Sequence, residues 1–266
     1  MTLIVLTILL LAINSVKLTS NPITILTPSP TPFNPFPYHS PVIPANRAYV
    51  IFFVGDSHTE ALGGNADGVR TELIKLYPNN DFASYNYGFG STSILDLDKR
   101  LHQETTYKGT SFPSILSQRF DLIVIESFAY NPLSQYPQEQ GIKIHLQKLE
   151  EAVTEIIKTH PDSVVALMTP IAPSKEFYAK FTYDLSPEQR RQWAEERISY
   201  INAVARFANE KQLPLIDNYK NSLTPDGAAN LKYINPSDYI HPSKEGVKLM
   251  NKTIADFIYQ NNIFEH

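Results

Sequence analysis

Two short stretches carry side chains whose types and spacing suit hydrolytic chemistry. At Gly55-Asp56-Ser57-His58 a hydroxyl follows an apolar run, Tyr49 to Val54. At Asp238-Tyr239-Ile240-His241-Pro242-Ser243 a carboxylate stands three residues before an imidazole. A serine hydroxyl becomes a nucleophile when a base takes its proton, and that base needs an acid to hold its tautomer and stabilise its charged form. A D-x-x-H turn supplies both groups from one loop. The serine lies between a strand-like run and a helix-like pattern, a position where helix amides favour developing negative charge. Other readings of the same residues stay open. Gly-Asp-Ser is a common turn composition, and Asp56, His58, Asp238 and His241 together are a donor set that could ligate zinc or manganese. A metal centre would leave Ser57 without a role. His58 diverges from its neighbour Ser57, so it is expected to line the cleft or cap the helix. His102, His145 and His160 fall in or beside helical patterns and are expected at the surface.

The elements that must position these groups follow from periodicity. Apolar runs predict strands at 48–54, 82–87, 120–126, 163–169 and 213–217. Between and after them, amphipathic patterns predict helices near 59–77, 91–102, 139–160, 187–211 and 243–260. Short apolar strands alternating with amphipathic helices predict a parallel sheet covered on both faces, a three-layer α/β/α sandwich. In such a sheet ligands gather at the carboxyl ends of the strands. There the second strand is followed by Asn86-Tyr87-Gly88-Phe89-Gly90-Ser91-Thr92-Ser93, and the third by Ser127-Phe128-Ala129-Tyr130-Asn131-Pro132. Read alone, the first is a glycine turn and the second an Asn-Pro turn.

Taken together, GDS, the glycine block, Asn131 and D-x-x-H-P, in that order over residues 48 to 260, resemble the SGNH hydrolase family of GDSL-type esterases and lipases. The resemblance implies a flavodoxin-like five-stranded parallel sheet of order 2-1-3-4-5. It also implies that Ser57 is the nucleophile, His241 the base and Asp238 the orienting acid. The amides of Ser57 and Gly90 and the side chain of Asn131 would then bind the oxyanion, with Gly88 and Ser127 as alternative donors. The family usually has Gly-x-Asn-Asp where this chain has Ala129-Tyr130-Asn131-Pro132, in a loop one residue longer. The activity implied is a serine esterase acting on a small acyl ester, such as an acetyl group on a cell-surface glycan, with no cofactor and no metal. An O-acyltransferase using the same residues, a metal-dependent hydrolase and an inactive binding protein of the same fold are the alternatives.

Composition bounds the rest. The chain has 266 residues, 42% hydrophobic and 19% charged, enough for one sizeable domain and an appendage. A net charge of −4 without a basic block argues against nucleic acid or an anionic membrane surface as partner. With no cysteine, disulfides, a catalytic thiol and Cys-ligated zinc are excluded. Residues 3–13 form an apolar run too short for an ordinary span, so 1–19 reads as an export signal or short anchor. Residues 20–46 hold eight prolines and read as an extended spacer from which Phe33, Phe36 and Tyr38 can dock on the domain surface, with the catalytic domain at 47–266 and an exported or tethered location. Trp193 is expected in the core. The aromatics of 170–186 and of the loop at 218–237 are expected either to shape specificity by contact with a sugar ring or acyl chain or to pack in the interior.

Overall fold

The computed structural model describes residues 33–265. Strand β1 (Ala48–Gly55) divides its side chains between two cores, as a strand buried on both faces must. Tyr49, Ile51 and Phe53 join one apolar cluster, and Phe52 and Val54 join the other. Around it lie β2 (Asp81–Gly88), β5 (Leu122–Glu126), β6 (Val164–Thr169) and β7 (Leu215–Asp217). They form an all-parallel sheet of order β2-β1-β5-β6-β7. That is the order the family resemblance implies.

Helices α2 (Asp67–Leu76) and α7 (Lys244–Gln260) bury Val69, Leu73, Met250, Ile254 and Ile258 against one face. Helices α3 (Leu97–His102), α4 (Gln138–Thr159) and α5 (Pro187–Lys211) cover the other with Leu97, Leu101, Leu149, Val153, Ile156, Val204 and Phe207. Each such side chain contributes about 1.5–3 kcal/mol by leaving water. α5 opens on a reciprocal cap in which Ser186 Oγ accepts from Gln189 N and the Gln189 side chain accepts from Ser186 N, with Pro187 in its first turn.

Three expectations are corrected. The helix expected over 59–77 is two: α1 (Ser57–Glu60) and α2, parted by Gly63 at φ +84° and Ala66 at φ +47°. Left-handed residues end a right-handed helix. The apolar spacing of Leu62, Val69 and Leu73 is met instead by two segments that turn the same face inward. Second, an unanticipated hairpin, β3 (Thr105–Tyr107) with β4 (Thr110–Phe112), turns through Lys108 and Gly109, both at positive φ as a two-residue hairpin turn requires. Third, the proline-rich stretch is not all spacer. Within its described part, Tyr38 and Ile43 are buried, and Phe36 meets Phe207 edge-on. Residues 1–32, including the expected signal or anchor, lie outside the described residues. Among the described residues no helix is long and apolar enough to cross a membrane.

Tyr38 has a specific structural task. Strand β7 pairs only with Leu167–Thr169, so the lower half of β6 lacks a neighbour on that side. The Val165 N–H there donates to Tyr38 Oη at 2.9 Å, and Tyr38 N donates to Lys211 O at 2.8 Å. A buried N–H without a partner costs about 1–3 kcal/mol. Tyr38→Phe should therefore lower stability by that amount in urea unfolding at unchanged activity. A chain beginning at Ala45 should lose more, and equal midpoints for all three proteins would return residues 34–44 to the spacer.

Candidate active site

The D-x-x-H loop supports itself before it touches anything else. Asp238 Oδ1 accepts from the backbone amides of Ile240 (2.8 Å) and His241 (3.0 Å), and Oδ2 accepts from His241 Nδ1 (2.9 Å) and Asn235 Nδ2 (3.3 Å). The chain can double back because Tyr239 adopts φ +53°. Immediately afterwards Ser243 caps α7, its Oγ accepting from Gly246 N at 3.0 Å, so the loop is anchored to a seventeen-residue helix. With Nδ1–H committed to a carboxylate, His241 Nε2 is the acceptor, and Ser57 Oγ lies 3.1 Å from it. Residues 184 positions apart thus form one hydrogen-bonded chain, Asp238–His241–Ser57.

Ser57 stands in the first turn of α1, where an amide has no partner within the helix. The preceding Asp56 is the cap, its Oδ1 accepting from His58 N at 2.9 Å. Its Oδ2 accepts from Asn131 Nδ2 at 2.9 Å, which brings Asn131 to the turn that carries Ser57. Ser127, the alternative donor, is buried and turned away: its Oγ donates to Glu126 Oε1 at 2.8 Å. The two glycines also separate. Gly88 N donates to Asn86 Oδ1 (2.8 Å), whereas Gly90 borders Ser57 so closely that a Cβ there would stand 3.6 Å from Ser57 Cβ and 2.8 Å from Glu60 Oε2. Gly90 N donates to Tyr107 Oη at 2.8 Å, and that hydroxyl donates to Glu60 Oε2 at 2.9 Å. An anion arriving at the Gly90 amide therefore competes with a phenol from the hairpin.

Four side chains at the site escaped sequence reasoning. Glu126 and Arg100 are buried, Glu126 beside Asp56 and Arg100 against the ends of β1 and β2. Glu60 and Tyr107 form the polar wall beside Gly90. A lysine-glycine turn between threonine-rich flanks was the available signal for the hairpin that carries Tyr107; nothing local marked the other three.

The histidines also redistribute. His58 neither lines an open cleft nor caps a helix with its ring. It is fully buried, its ring centroid 3.8 Å from that of Tyr130, with no close hydrogen bond and only a weak approach to the Ile240 carbonyl. Burial, reinforced by His241, lowers its pKa to about 3. His145, expected at the surface, is buried and donates from Nε2 to Ser127 O at 2.8 Å; burial lowers its pKa to about 4. His102 is exposed and pairs with Glu155, and Trp193 is only partly buried, against Tyr183. The supposed metal shell does not assemble: Asp56 is turned to Asn131, and His58 packs on Tyr130. Among the described residues no group of three or more His, Asp or Glu converges as a ligand set. A hollow of about 810 Å³ bordered by Val164, Pro214 and Ile263 lies at the amino ends of the strands, opposite the site.

A hydroxyl, an imidazole and a carboxylate in one chain at the carboxyl ends of a parallel α/β sheet define the class of serine hydrolases. Residues 51–254 match the family described as GDSL-like Lipase/Acylhydrolase, and the chain belongs to that family of ester-hydrolysing enzymes. The fold is similar to that of the lipase/acylhydrolase from Enterococcus faecalis, at 20% identity and a TM-score of 0.56, over 80% of this chain and 96% of that one. It is also similar to a GDSL-like lipase from Bacteroides thetaiotaomicron, at 14% identity and a TM-score of 0.52, over 80% and 89%. Comparison with curated proteins gives no match.

The two buried neutral imidazoles set an acid limit to stability. Their folded-state pKa values lie below the unfolded value of about 6.5. The stability of keeping them neutral is full above that pH and is lost as pH falls toward 4 for His145 and 3 for His58. At about 1.4 kcal/mol per pH unit, the loss reaches at most roughly 3 kcal/mol for His145 and roughly 5 kcal/mol for His58. Thermal melts should fall steeply from about pH 6.5 to about pH 4, and His145→Leu should flatten that slope; parallel slopes would mean His145 is not buried neutral.

Proposed function

We propose that Ser57 Oγ attacks an ester carbonyl while His241 Nε2 takes its proton and Asp238 stabilises the resulting imidazolium. The tetrahedral oxyanion receives the amides of Ser57 and Gly90, the latter given up by Tyr107, and one N–H of Asn131. Collapse expels the alcohol, which takes its proton from His241, and water then repeats the steps to release the acid and free Ser57. The observation that carries this reading is the continuous Ser57–His241–Asp238 hydrogen-bonded chain. Preorganised donors aimed at the developing charge supply the largest share of such catalysis.

The surroundings support a small acyl group on a sugar-bearing alcohol. Tyr239, inside the D-x-x-H loop, stacks on Phe177 (5.2 Å, 26°) and meets Phe181 (5.9 Å), which is 66% exposed. Lys180 Nζ lies over both phenylalanine rings. Behind Phe177 is a hollow of about 490 Å³ whose walls include Lys175, Glu176, Tyr219 and Asp226. An acyl chain wants an enclosed apolar channel. An open aromatic strip flanked by charged groups suits a pyranose ring, which has an apolar face and a polar edge. The apolar run at 3–13 followed by prolines supports an extracytoplasmic setting for such a substrate.

Ser57→Ala and His241→Ala should each abolish p-nitrophenyl acetate hydrolysis without lowering the melting temperature, because members of one catalytic unit fail together. Undiminished turnover in a purified Ser57→Ala protein would end the proposal. Phe181→Ala should raise KM for an acetylated oligosaccharide about fivefold, or roughly 1 kcal/mol, and leave p-nitrophenyl acetate unaffected. Equal effects on both substrates would remove the sugar site.

A further inference from the structure

The steps above leave unused a pair of carboxyl groups beneath Asn131. Asp56 and Glu126 come from the ends of adjacent strands, are both 0% exposed and hydrogen-bond to each other. Two touching carboxylates withdrawn from water cannot both be ionised, so the pair keeps one proton. Glu126 is its owner. Burial and the neighbouring Asp56 charge push the Glu126 carboxyl well above the usual range. Asp56 is also raised by burial, but it is opposed by donors from His58 N (2.9 Å), Asn131 Nδ2 (2.9 Å) and Glu126 itself. Glu126 Oε1 accepts from Ser127 Oγ at 2.8 Å, while Oε2 accepts only the longer bond from Asp56 N at 3.4 Å, so Oε2 is the atom that carries the proton.

We propose that Glu126, as a carboxylic acid, is a positioning residue for the oxyanion donor: its proton fixes Asp56, and Asp56 holds one N–H of Asn131 so that the other is presented beside Ser57. The inference rests on the reading of Asn131 as an oxyanion donor. It assigns to Asp56 and Glu126 the relation to Asn131 that Asp238 has to His241. The other groups whose charges reach the pair are Arg100 from α3, His241 from its loop, and the Tyr130 and Tyr178 phenols, while His58 from α1 meets Asp56 through its backbone N–H. Arg100 keeps its charge at neutral pH and both phenols are raised, so none of these three supplies the shared proton.

The test uses the full chain and p-nitrophenyl acetate. Glutamine can still donate to Asp56 and accept from Ser127, so Glu126→Gln should keep kcat within about threefold of wild type. Glu126→Leu removes both contacts and should lower kcat about tenfold to a hundredfold with KM changed less than about twofold, the pattern of a weakened transition-state donor. The pH profile gives a second readout that does not require the leucine variant to fold. Wild type should lose kcat on the alkaline side as the shared proton leaves and the carboxylates repel, while Glu126→Gln, which has no such proton, should hold its plateau. Wild-type kinetics in Glu126→Leu, an equal loss in both variants, or coincident wild-type and glutamine profiles would overturn the inference. Ser57→Ala in parallel separates the two levels: residual activity there refutes the serine reading, whereas a silent Ser57→Ala beside an indifferent Glu126 refutes only this one.

Discussion

The guanidinium of Arg100 is the contact on which the site's geometry rests. It is 2% exposed and donates from Nη1 to Gly55 O (2.7 Å) and Tyr87 O (2.9 Å), and from Nη2 to Thr92 Oγ1. Gly55 O also accepts from Phe89 N, so the carbonyl at the end of β1 gathers donors from two neighbouring segments. Phe89 and Phe128 pack on the guanidinium at 4.5 and 5.3 Å. These two rings belong to the loops that carry Gly90 and Asn131. One planar cation therefore sets the spacing between the serine turn, the glycine loop and the asparagine loop. A lysine offers a single nitrogen and could not serve three acceptors in a plane while stacking between rings.

A charge buried that deeply needs compensation. Burial lowers the Arg100 pKa to about 10, which still leaves it protonated at neutral pH, and Asp96 followed by the Asp56–Glu126 pair supplies the opposing negative charge. Ionising Glu126 as well would set two touching charges against each other away from water, and a second cation would oppose imidazolium formation at His241. The neutrality of Glu126, His58 and His145 follows first from their burial. The interior around Ser57 thus keeps its polar groups but few net charges, and hydrogen bonds there act at a low local dielectric.

The parts of this design that are local in sequence were legible before the fold. Gly-Asp-Ser needs only a strand and a turn, and the Asp238–His241 hydrogen bonds close within four residues, so spacing alone exposes them. The sheet was legible because each strand is an apolar run, and its order because of the family resemblance. Asn131 could be matched to its role by resemblance; its orientation toward Asp56, 75 residues away, could not. Arg100 looks like any helix arginine until Gly55, 45 residues distant, is placed against it. Glu126 closes an apolar strand and reads as its solvated end, although it is fully buried. Tyr38 sits among prolines whose composition says spacer, and only the shortness of β7 gives it a donor to satisfy. The helix break at Gly63-Gly64 was visible as two glycines, yet apolar spacing continued across it.

Two residues with side chains, Phe128 and Tyr239, hold φ of +53°, the first three positions before Asn131 and the second two before His241. Such backbone costs about 1–2 kcal/mol for a residue that is not glycine, and persists only where the surroundings over-determine it. Phe128 is held by complete burial against Arg100. Tyr239 is held differently: its carbonyl accepts from Ala179 N at 3.3 Å and its ring stacks on Phe177. The half-exposed 174–183 loop therefore has two connections to the base. It offers the open aromatic face beside the cleft, and it braces the strained residue that aims His241. A ligand seated on Phe177 and Phe181 would press on the same ring that keeps Tyr239 left-handed, so under the proposed function recognition of the leaving group and alignment of the imidazole share one stack of aromatic rings.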